Sequence, residues 1–494
     1  MARIPSTRLS RLLTGWASEG PGPLPRRLAD ALRELAERGD VPAGTVLPSQ
    51  RELALVLGVS RSTVTAAYGF LEGEGRLESV RGSGSRLRGS GVLDRHPMEG
   101  RLASFDARAG TADLSSGALP GLGDVAEAVG ALTAGDVAAL LGADGYHPYG
   151  LPELREGVAA YYRAAGVPTD AEEILVTAGS QQAVWLVAQA LVDPGDTVVV
   201  EDPTYRGALE ALRARGARLV PVSDDGMAGT AGADGAGAAR LRRLCGSVRP
   251  RLVYLQPTAH NPTGRSMDEA ARRAWRGVLG ELGLFTVEDT ACAELSLDGD
   301  EAAVPLVAGL PSGSTVTVGT LSKLFWGGLR VGWVRSSPQV VARLAKIKTS
   351  VDLSCSVVDQ LVAVRLLAGL PGARARRRAL LRERLAAAEE LLRAQAPGWE
   401  WTRPAGGPAL WVRVPGADTE AMAQLARRRG VSVVPGSAFS PVDGFRDRLR
   451  LPYAHGVEAL AAALPTLLDC AARSGAGAGG PVRRGTEPPC PGGV

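Results

Sequence analysis

The stretch Gly319-Thr-Leu-Ser-Lys-Leu-Phe-Trp-Gly-Gly-Leu-Arg-Val-Gly-Trp333 decides the fold of this chain. Its lysine, Lys323, is one of only three lysines, against 53 arginines. A lysine amine can lose its proton and form a Schiff base, whereas an arginine guanidinium cannot. The alternative, a surface lysine in a polar loop, fits Lys346 and Lys348 better. We therefore interpret Lys323 as a Schiff-base lysine.

The neighbours of Lys323 suit a phosphate group. Thr320 and Ser322 can donate their hydroxyls, and Arg330 offers a planar fork that binds phosphate through two hydrogen bonds. Pyridoxal phosphate requires both a Schiff-base lysine and a phosphate site. This surrounding therefore predicts a pyridoxal phosphate site.

A second phosphate-binding element is predicted upstream. The segment Thr177-Ala-Gly-Ser-Gln-Gln-Ala leads into a helix. Gly179, Ser180 and Gln181 would place backbone N–H groups and a hydroxyl at the helix N-terminus, where a phosphate is favoured.

Residues 113–473 alternate short apolar strands with longer helical patterns. This alternation is typical of an α/β fold, in which ligands bind at the carboxyl ends of the strands. The predicted strands begin at Leu175, Thr197, Arg251, Phe285 and Thr315.

Three side chains that follow these strands suit the rest of the cofactor. Tyr205 could stack on a pyridine ring, Asn261 offers an amide donor to the phenolic oxygen, and a buried Asp289 would keep the pyridine nitrogen protonated. Taken singly, they also fit a core tyrosine, a turn and a helix cap. Their order along the chain, followed by Lys323 and Arg330, favours the cofactor site.

Three short helices are predicted near the N-terminus. Residues 25–38 form an amphipathic pattern. Ser49 and Glu52 form a capping box that opens the second helix, and Ser60 caps the third. The second and third helices are joined by Gly58-Val59, which predicts a helix-turn-helix.

The third helix begins with polar residues, Arg61, Ser62 and Thr63, that would face a DNA major groove. Residues 75–87 then alternate as a tight hairpin with Gly82 near its tip. Alone, this is an ordinary solvated hairpin. Beside a helix-turn-helix, it predicts a basic wing along the DNA backbone or in the minor groove.

Net charge is concentrated in this N-terminal segment. Residues 1–88 hold 13 arginines and 9 acidic residues, which accounts for the whole net charge of +4. The imbalance is modest, and it indicates a small nucleic-acid-binding module attached to a neutral larger domain.

These N-terminal motifs resemble the GntR family of winged-helix regulators over residues 23–88. The matching blocks are Leu47-Pro-Ser-Gln-Arg-Glu-Leu-Ala, Val59-Ser-Arg-Ser-Thr-Val and Glu74-Gly-Arg-Leu-Glu-Ser-Val-Arg-Gly-Ser-Gly-Ser. The resemblance implies that Arg51 and Arg61 contact a double-stranded operator and that Gly82 lies at the wing tip.

The larger region resembles fold-type I aminotransferases over roughly residues 113–470. Beyond the motifs above, the matching blocks are Gly145-Tyr-His-Pro-Tyr-Gly-Leu-Pro-Glu-Leu-Arg155, Gly406-Gly-Pro-Ala-Leu-Trp, Pro435-Gly-Ser-Ala-Phe and Leu449-Arg-Leu-Pro-Tyr. The resemblance implies that Arg450 binds a substrate α-carboxylate. It also implies a homodimer in which Tyr146 reaches the phosphate of the other subunit.

One position departs from that family. A tyrosine usually follows the pyridinium aspartate by three residues and bonds the phenolic oxygen of the cofactor, but this chain has Cys292. Asn261 is then the main partner of that oxygen. The loss of one donor, about 1–3 kcal/mol, puts efficient transamination in doubt more than cofactor binding.

The whole arrangement resembles the MocR/GabR-like regulators. It implies an α/β protein with a winged helix-turn-helix at residues 1–88, a linker at 89–112, a fold-type I aminotransferase-like domain at 113–473 and a disordered tail at 474–494. We expect a homodimeric transcription regulator that senses pyridoxal phosphate or a small amino compound. An active aminotransferase with a DNA-binding appendage and a regulator with a pure dimerisation scaffold are the alternatives.

Composition limits the remaining choices. No apolar run approaches the roughly 20 residues that span a bilayer, and no export signal is evident, so we expect a cytoplasmic protein. The five cysteines are scattered and odd in number, and neither they nor the four histidines have metal-ligand spacing. We therefore expect reduced thiols and no metal site.

Overall fold

The computed structural model describes residues 3–18, 21–37, 40–41, 44–80, 84–88, 112–223, 234–299 and 304–475. The chain divides into two compact units. The first comprises residues 1–113, 416–433 and 463–494, and the second comprises residues 114–415 and 434–462. The first unit therefore contains segments from both ends of the chain.

The elements alternate along most of the chain. The helices are α1 (Ser6–Leu12), α2 (Leu24–Glu37), α3 (Gln50–Leu57), α4 (Arg61–Gly73), α5 (Gly123–Gly130), α6 (Ala134–Ala138), α7 (Pro152–Ala164), α8 (Ser180–Leu191), α9 (Arg206–Ala214), α10 (Asp234–Val248), α11 (Glu269–Glu281), α12 (Pro338–Thr349), α13 (Val357–Ala368), α14 (Leu370–Gln395), α15 (Thr419–Arg428) and α16 (Glu458–Gly475). The strands are β1 (Leu77–Val80), β2 (Gly84–Leu87), β3 (Ala112–Asp113), β4 (Ile174–Thr177), β5 (Thr197–Asp202), β6 (Arg218–Ser223), β7 (Leu252–Leu255), β8 (Thr286–Asp289), β9 (Thr315–Thr320), β10 (Gly332–Arg335), β11 (Glu400–Trp401), β12 (Ala409–Arg413), β13 (Val431–Ser432), β14 (Val434–Pro435) and β15 (Arg448–Pro452).

The predicted helix-turn-helix is confirmed in the first unit. Ser49 and Glu52 close a capping box, because Ser49 Oγ accepts from the Glu52 amide at 3.2 Å and Glu52 Oε2 accepts from the Ser49 amide at 2.9 Å. Helix α3 ends at Gly58, whose φ of +65° is a left-handed conformation that glycine adopts without a steric penalty. Ser60 caps α4 by accepting from the Thr63 amide at 3.1 Å.

Helices α2, α3 and α4 share a core with the hairpin. The buried residues of this core include Leu28, Leu32, Val64, Leu71 and Leu87. Strands β1 and β2 pair antiparallel, from Leu77 opposite Leu87 to Val80 opposite Gly84. The predicted wing tip at Gly82 lies outside the described residues.

A helix before the predicted winged helix extends this core and joins it to α15. Apolar residues of α1 are buried in the same cluster, among them Leu9 and Leu12. Arg11 Nε lies 3.6 Å from Asp418 Oδ2 and 3.8 Å from Glu420 Oε2, at the start of α15. At the other end of α15, Arg428 Nη1 donates to the carbonyl oxygen of Thr14 at 2.9 Å. The acidic start and the basic end of α15 are thus both bound by this N-terminal segment.

The second unit is built on a seven-stranded sheet with the order β4-β10-β9-β8-β7-β5-β6. Strand β10 is antiparallel to both of its neighbours, and the other pairs are parallel. The five predicted strands are confirmed as β4, β5, β7, β8 and β9. Strands β6 and β10 were not predicted.

Both faces of this sheet are covered, as expected for a largely parallel sheet. In β5, Val198 and Val200 pack into one apolar cluster, with residues of α8, α9 and α12, while Val199 packs into another, with residues of α10 and α11. Side chains of one strand alternate between the two faces, so this valine run is buried on both sides.

The second unit also contains a smaller antiparallel sheet with the order β11-β12-β15-β14. Its strand β15 carries Arg450, which lies opposite Trp411 of β12 and Val434 of β14. Among the described residues, no helix has both the length and the apolar character needed to cross a bilayer.

Candidate functional site

Most of the predicted cofactor residues follow the carboxyl ends of β4, β5, β7, β8 and β9. Because these five strands run in the same direction, their carboxyl ends lie at one edge of the sheet. Strand β10 runs the opposite way and therefore starts at that edge, just after Arg330. Gly332 lies between Thr177 of β4 and Thr320 of β9. A Cβ at Gly332 would lie 2.7 Å from the Gly179 carbonyl carbon, so only glycine fits there.

Lys323 and Arg450 both lie next to one backbone residue, Gly117. The Lys323 amine donates to the Gly117 carbonyl oxygen at 2.7 Å. A Cβ at Gly117 would lie 3.1 Å from Arg450 Nη1. Arg450 is only 4% exposed, donates to the Ser115 carbonyl oxygen and lies over the Phe439 ring, 5.0 Å from its centroid. The structure therefore brings the predicted Schiff-base lysine and the predicted carboxylate-binding arginine together.

Asp289 ends β8 as a buried carboxylate that accepts several hydrogen bonds. Oδ2 accepts from Tyr254 Oη at 2.6 Å and from Gln256 Nε2 at 3.1 Å, and Oδ1 accepts from the Ala291 amide at 2.9 Å. Burial raises the pKa of Asp289, and these donors together with the Lys323 charge oppose that rise. A carboxylate held in this way can pair with a protonated pyridine nitrogen.

The residues predicted to bind the phosphate lie around Arg330. Gly179 has a φ of +82°, and a Cβ there would lie 2.8 Å from the Arg330 guanidinium. Arg330 donates to the Ala178 carbonyl oxygen. Gly179 is also the N-cap of α8, where no side chain caps the first turn formed by Ser180 and Gln181. The uncapped N-terminus of α8 therefore lies beside the Arg330 guanidinium.

Two predicted hydroxyl donors are placed differently. The Thr320 hydroxyl donates to the Val331 carbonyl oxygen at 2.8 Å and accepts from the Ser322 backbone amide at 3.1 Å. Its proton is therefore used in a hydrogen bond within the segment that joins β9 to β10. The Ser322 hydroxyl is buried and has no hydrogen-bond partner among the described residues. A buried unpaired hydroxyl beside Lys323 is the kind of group that a phosphate oxygen would satisfy.

Tyr205 and Gln181 form a pair at this edge. Tyr205 Oη donates to Gln181 Oε1 at 2.8 Å, and Gln181 Nε2 donates to the Gly207 carbonyl oxygen at 3.1 Å. Tyr205 is partly buried and packs against the apolar cluster that contains Val198 and Val200. The ring is thereby fixed beside the residues that follow β4.

Asn261 and Cys292 occupy the positions predicted to face the phenolic oxygen. The backbone N–H of Asn261 donates to Gln256 Oε1 at 3.1 Å. Cys292 is buried, and burial raises the pKa of its thiol, while the charges of Lys323 and Arg450 oppose the rise. A neutral thiol here donates hydrogen bonds only weakly, so Asn261 is the stronger donor.

The residues present fit pyridoxal phosphate. Lys323 would supply the amine, Asp289 the buried carboxylate, Arg330 and the α8 N-terminus the positive charge, and Ser322 a hydroxyl. When bound, the cofactor supplies an electrophilic carbon and an electron-withdrawing ring. Arg450 would hold a carboxylate next to Lys323, whose amine can accept or return a proton.

Tyr146 stands apart from this cluster. Its side chain is 57% exposed, and its backbone amide donates to Asp144 Oδ1 at 3.0 Å. The structure therefore does not bring Tyr146 to the Lys323 site within one chain. The predicted role across a dimer interface stays a prediction.

The candidate DNA-contacting residues lie on the surface of the first unit. Arg51 and Arg61 are exposed. The Ser62 and Thr63 hydroxyls lie 2.7 and 2.8 Å from Ser60 Oγ, so both belong to the cap of α4. The two arginines are thus the better candidates for contacts with bases or phosphates.

Sequence reasoning missed Ser115, Gly117 and Gln256. The first two precede α5 in a segment without any period, and their carbonyl groups become partners only after distant segments pack against them. Gln256 had one usable signal, since a polar residue directly follows the apolar strand β7 and precedes a proline.

Comparison with known proteins agrees with this architecture. Residues 111–465 match the family of class I and II aminotransferases, and residues 24–87 match the gntR family of bacterial regulatory proteins. The chain is 28% identical over 465 residues to the uncharacterized HTH-type transcriptional regulator YisV of Bacillus subtilis, covering 88% of this chain and 92% of YisV. It is 31% identical over 352 residues to the probable rhizopine catabolism regulatory protein MocR of Rhizobium meliloti, covering 64% of this chain and 66% of MocR.

A solved structure extends the comparison to the larger region. LysN, the alpha-aminoadipate aminotransferase from Thermus thermophilus, is similar with a TM-score of 0.64 and 31% identity, covering 74% of this chain and 92% of LysN. LysN was solved in complex with N-(5'-phosphopyridoxyl)-L-leucine.

Fold and site together define a GntR-type DNA-binding domain fused to a fold-type I aminotransferase domain. The chain belongs to the class I and II aminotransferase family, and its homologues include the HTH-type regulator YisV, matched along most of both chains, and MocR, matched over about two thirds. The predicted fold class and family are thereby confirmed, and the fold implies pyridoxal phosphate binding.

Proposed function

We propose that this protein is a homodimeric transcription regulator that holds pyridoxal phosphate on Lys323 and changes its DNA affinity when an amino compound binds at Arg450. The observation that carries the proposal is that Lys323 and Arg450 both lie next to Gly117. A carboxylate at Arg450 brings an attached amine next to the lysine. The same chain carries exposed arginines in a GntR-type domain.

The position of Arg450 supports selection of a carboxylate. Its guanidinium is buried, lies over Phe439 and bonds a backbone carbonyl, so its orientation is fixed before a ligand arrives. A planar guanidinium matches a carboxylate through two hydrogen bonds. The expected effectors are therefore α-amino acids or closely related amino carboxylates.

Regulation requires that ligand states differ in their preference for conformations of the DNA-binding domains, since a ligand shifts an equilibrium only by its differential affinity. A tenfold change in operator affinity corresponds to about 1.4 kcal/mol of coupling. If pyridoxal phosphate is itself the effector, affinity changes on cofactor binding and needs no amino compound.

Operator affinity tests the proposal directly. The full-length protein would be titrated with DNA from upstream of its own coding sequence as apo protein, with pyridoxal phosphate, and with the cofactor plus a panel of amino acids. We expect at least one pair of states to differ tenfold or more. Equal affinity in all three, with amino acid binding verified by absorbance, would leave the larger domain as a scaffold.

A second candidate function is aminotransfer itself, and the intact set of Lys323, Asp289, Asn261 and Arg450 favours it. Cys292 opposes it, because the buried thiol is a weak donor where the family that the chain resembles usually has a tyrosine. Multiple turnovers of an amino donor with an oxo acid would support the enzyme. A single stoichiometric reaction of the bound cofactor would support the regulator.

A further inference from the structure

Gln256, which directly follows β7, contacts two separate parts of the predicted cofactor site. Its side chain is buried, and it makes hydrogen bonds in both directions. Nε2 donates to Asp289 Oδ2 at 3.1 Å and to Tyr254 Oη at 3.2 Å, while Oε1 accepts from the backbone N–H of Asn261 at 3.1 Å. One amide therefore contacts both the predicted pyridinium carboxylate and the segment that carries the predicted phenolic-oxygen donor.

The backbone of Gln256 is fixed from the opposite side. Its amide donates to Glu201 Oε2 at 2.6 Å, and Glu201 Oε1 accepts from Arg265 Nη2 at 2.7 Å. Glu201 is itself only 1% exposed. Because both the backbone and the side chain of Gln256 form hydrogen bonds, its side-chain amide has little freedom to rotate.

The chemistry explains why an amide is suited to this position. The Asp289 carboxylate needs hydrogen-bond donors, and the backbone N–H of Asn261 needs an acceptor. Only a side chain that both donates and accepts can form hydrogen bonds with the two together. A carboxylate would repel Asp289, an ammonium or guanidinium would offer the Asn261 amide no acceptor, and an aliphatic side chain would leave both groups with one partner fewer.

We infer that Gln256 is a positioning residue that orients Asp289 and Asn261 together and so sets the electronic state of the bound pyridine ring. The inference rests on the proposed function to the extent that the cofactor binds at Lys323. Gln256 acts through Asp289 and Asn261 and touches no reacting atom. Its loss changes how the ring is held and polarised.

Two substitutions separate the hydrogen bond that the Gln256 side chain makes to Asp289 from the one that it accepts from Asn261. Gln256→Leu removes both. Gln256→Glu has the same shape and keeps the oxygen that accepts from Asn261, but at high pH it places a second carboxylate against Asp289. At low pH the new carboxyl group is protonated and can donate to Asp289 as the amide did. Glu201 and Tyr254 are the other titratable groups in contact with Gln256.

Gln360 provides the matched control. It is also buried, accepts from the Leu151 amide at 2.7 Å and donates to the Cys355 carbonyl oxygen at 3.1 Å, with no hydrogen bond to Asp289 or Asn261. Gln360→Leu therefore reproduces the loss of a buried amide without touching the predicted cofactor-binding groups.

The measurement is titration of each apo variant with pyridoxal phosphate, with visible spectra of the bound form recorded from pH 6 to 9. Gln256→Leu should weaken binding about tenfold and shift the spectrum, while Gln360→Leu should leave both unchanged. Gln256→Glu should bind as the wild type does at low pH and more weakly as pH rises.

The inference is overturned if the wild type binds the cofactor and Gln256→Leu changes affinity and spectrum no more than Gln360→Leu does. It is also overturned if Gln256→Glu follows the pH dependence of the wild type. Failure of the proposed function would instead appear as unchanged operator affinity in a wild type that binds cofactor, so the two failures are distinguishable.

Discussion

The α4 surface and the carboxyl edge of the seven-stranded sheet are organised in opposite ways. On α4, Arg61 is exposed, and the adjacent Thr63 is held by Ser60, three residues away. At the sheet edge, Lys323 donates to a carbonyl 206 residues away, and Arg450 to one 335 residues away. One region depends on local hydrogen bonds and the other on contacts between distant segments.

This difference predicts different consequences of mutation. An exposed arginine on α3 or α4 can be removed with little effect on folding, because its side chain is not needed by the core. A residue at the sheet edge satisfies partners elsewhere in the chain, so its removal changes both ligand binding and stability. Mutations in each region can test whether binding changes alone or together with stability.

The largest expected effect is loss of the cofactor in Lys323→Ala. Without the amine, no covalent link to pyridoxal phosphate can form, so the visible absorbance band of the loaded protein should disappear. Lys346→Ala is the control, since Lys346 is an exposed lysine of α12 and should keep the band. A wild type that remains colourless after incubation with pyridoxal phosphate would contradict the cofactor assignment.

The next effect concerns DNA. Arg61→Ala should weaken operator binding by about 1–3 kcal/mol if it contacts a base edge, and Arg51→Ala should lower affinity and reduce its salt dependence if it contacts a phosphate. Gel-shift titrations at several salt concentrations measure both. Arg273→Ala, an exposed arginine of α11, controls for the lost charge. Melting temperatures should not change, and unaltered affinity for both variants would count against this docking face.

A smaller effect is expected for Ser322→Ala. The buried hydroxyl has no partner among the described residues, so its removal should not destabilise the apo protein. Loss of one hydrogen bond to the phosphate should weaken cofactor binding by about 1 kcal/mol. Calorimetry of the apo protein and a cofactor titration measure the two quantities. A large drop in apo stability would mean that the hydroxyl has a structural role.

The smallest effect is expected where α1 contacts α15. Arg11→Glu and Glu420→Arg each place like charges together in a partly buried pair with exposed fractions of 18% and 12%. A double-mutant cycle on thermal stability should give a coupling of about 0.5–1 kcal/mol, and the double variant should recover only part of the loss because Arg11 also contacts Asp418. Strictly additive losses would mean that the pair contributes no interaction energy.

The contrast between local hydrogen bonds and contacts between distant segments also explains what could be predicted from the sequence. The caps at Ser49 and Ser60 and the stop at Gly58 were predictable, because each depends on residues within one turn. The order of strand ends predicted the cofactor edge, because parallel strands place their carboxyl ends together. Strand β10 was missed because its four residues follow the lysine motif without a turn signal, and its antiparallel direction is a property of the whole sheet.

The role of Gly117 was beyond prediction, and that of Gln256 was signalled only by its place after β7, for a related reason. Gly117 contributes a carbonyl group, which every residue has, so nothing in its identity indicated a contact with Lys323. Gln256 acts through a network with Asp289, Tyr254 and Asn261 that exists only after β7 and β8 pair. Side-chain chemistry can be read from sequence, whereas the use of a common backbone group cannot.

The contact between α1 and α15 has a consequence for how such proteins can be recombined. Residues 416–433 lie within the region that matches aminotransferases, yet they pack with the N-terminal residues in one compact unit. A chimera that transfers only residues 1–88 would separate Arg11 from Asp418 and Glu420 of α15. The transferable module is therefore discontinuous, and a functional graft should carry both pieces of the chain.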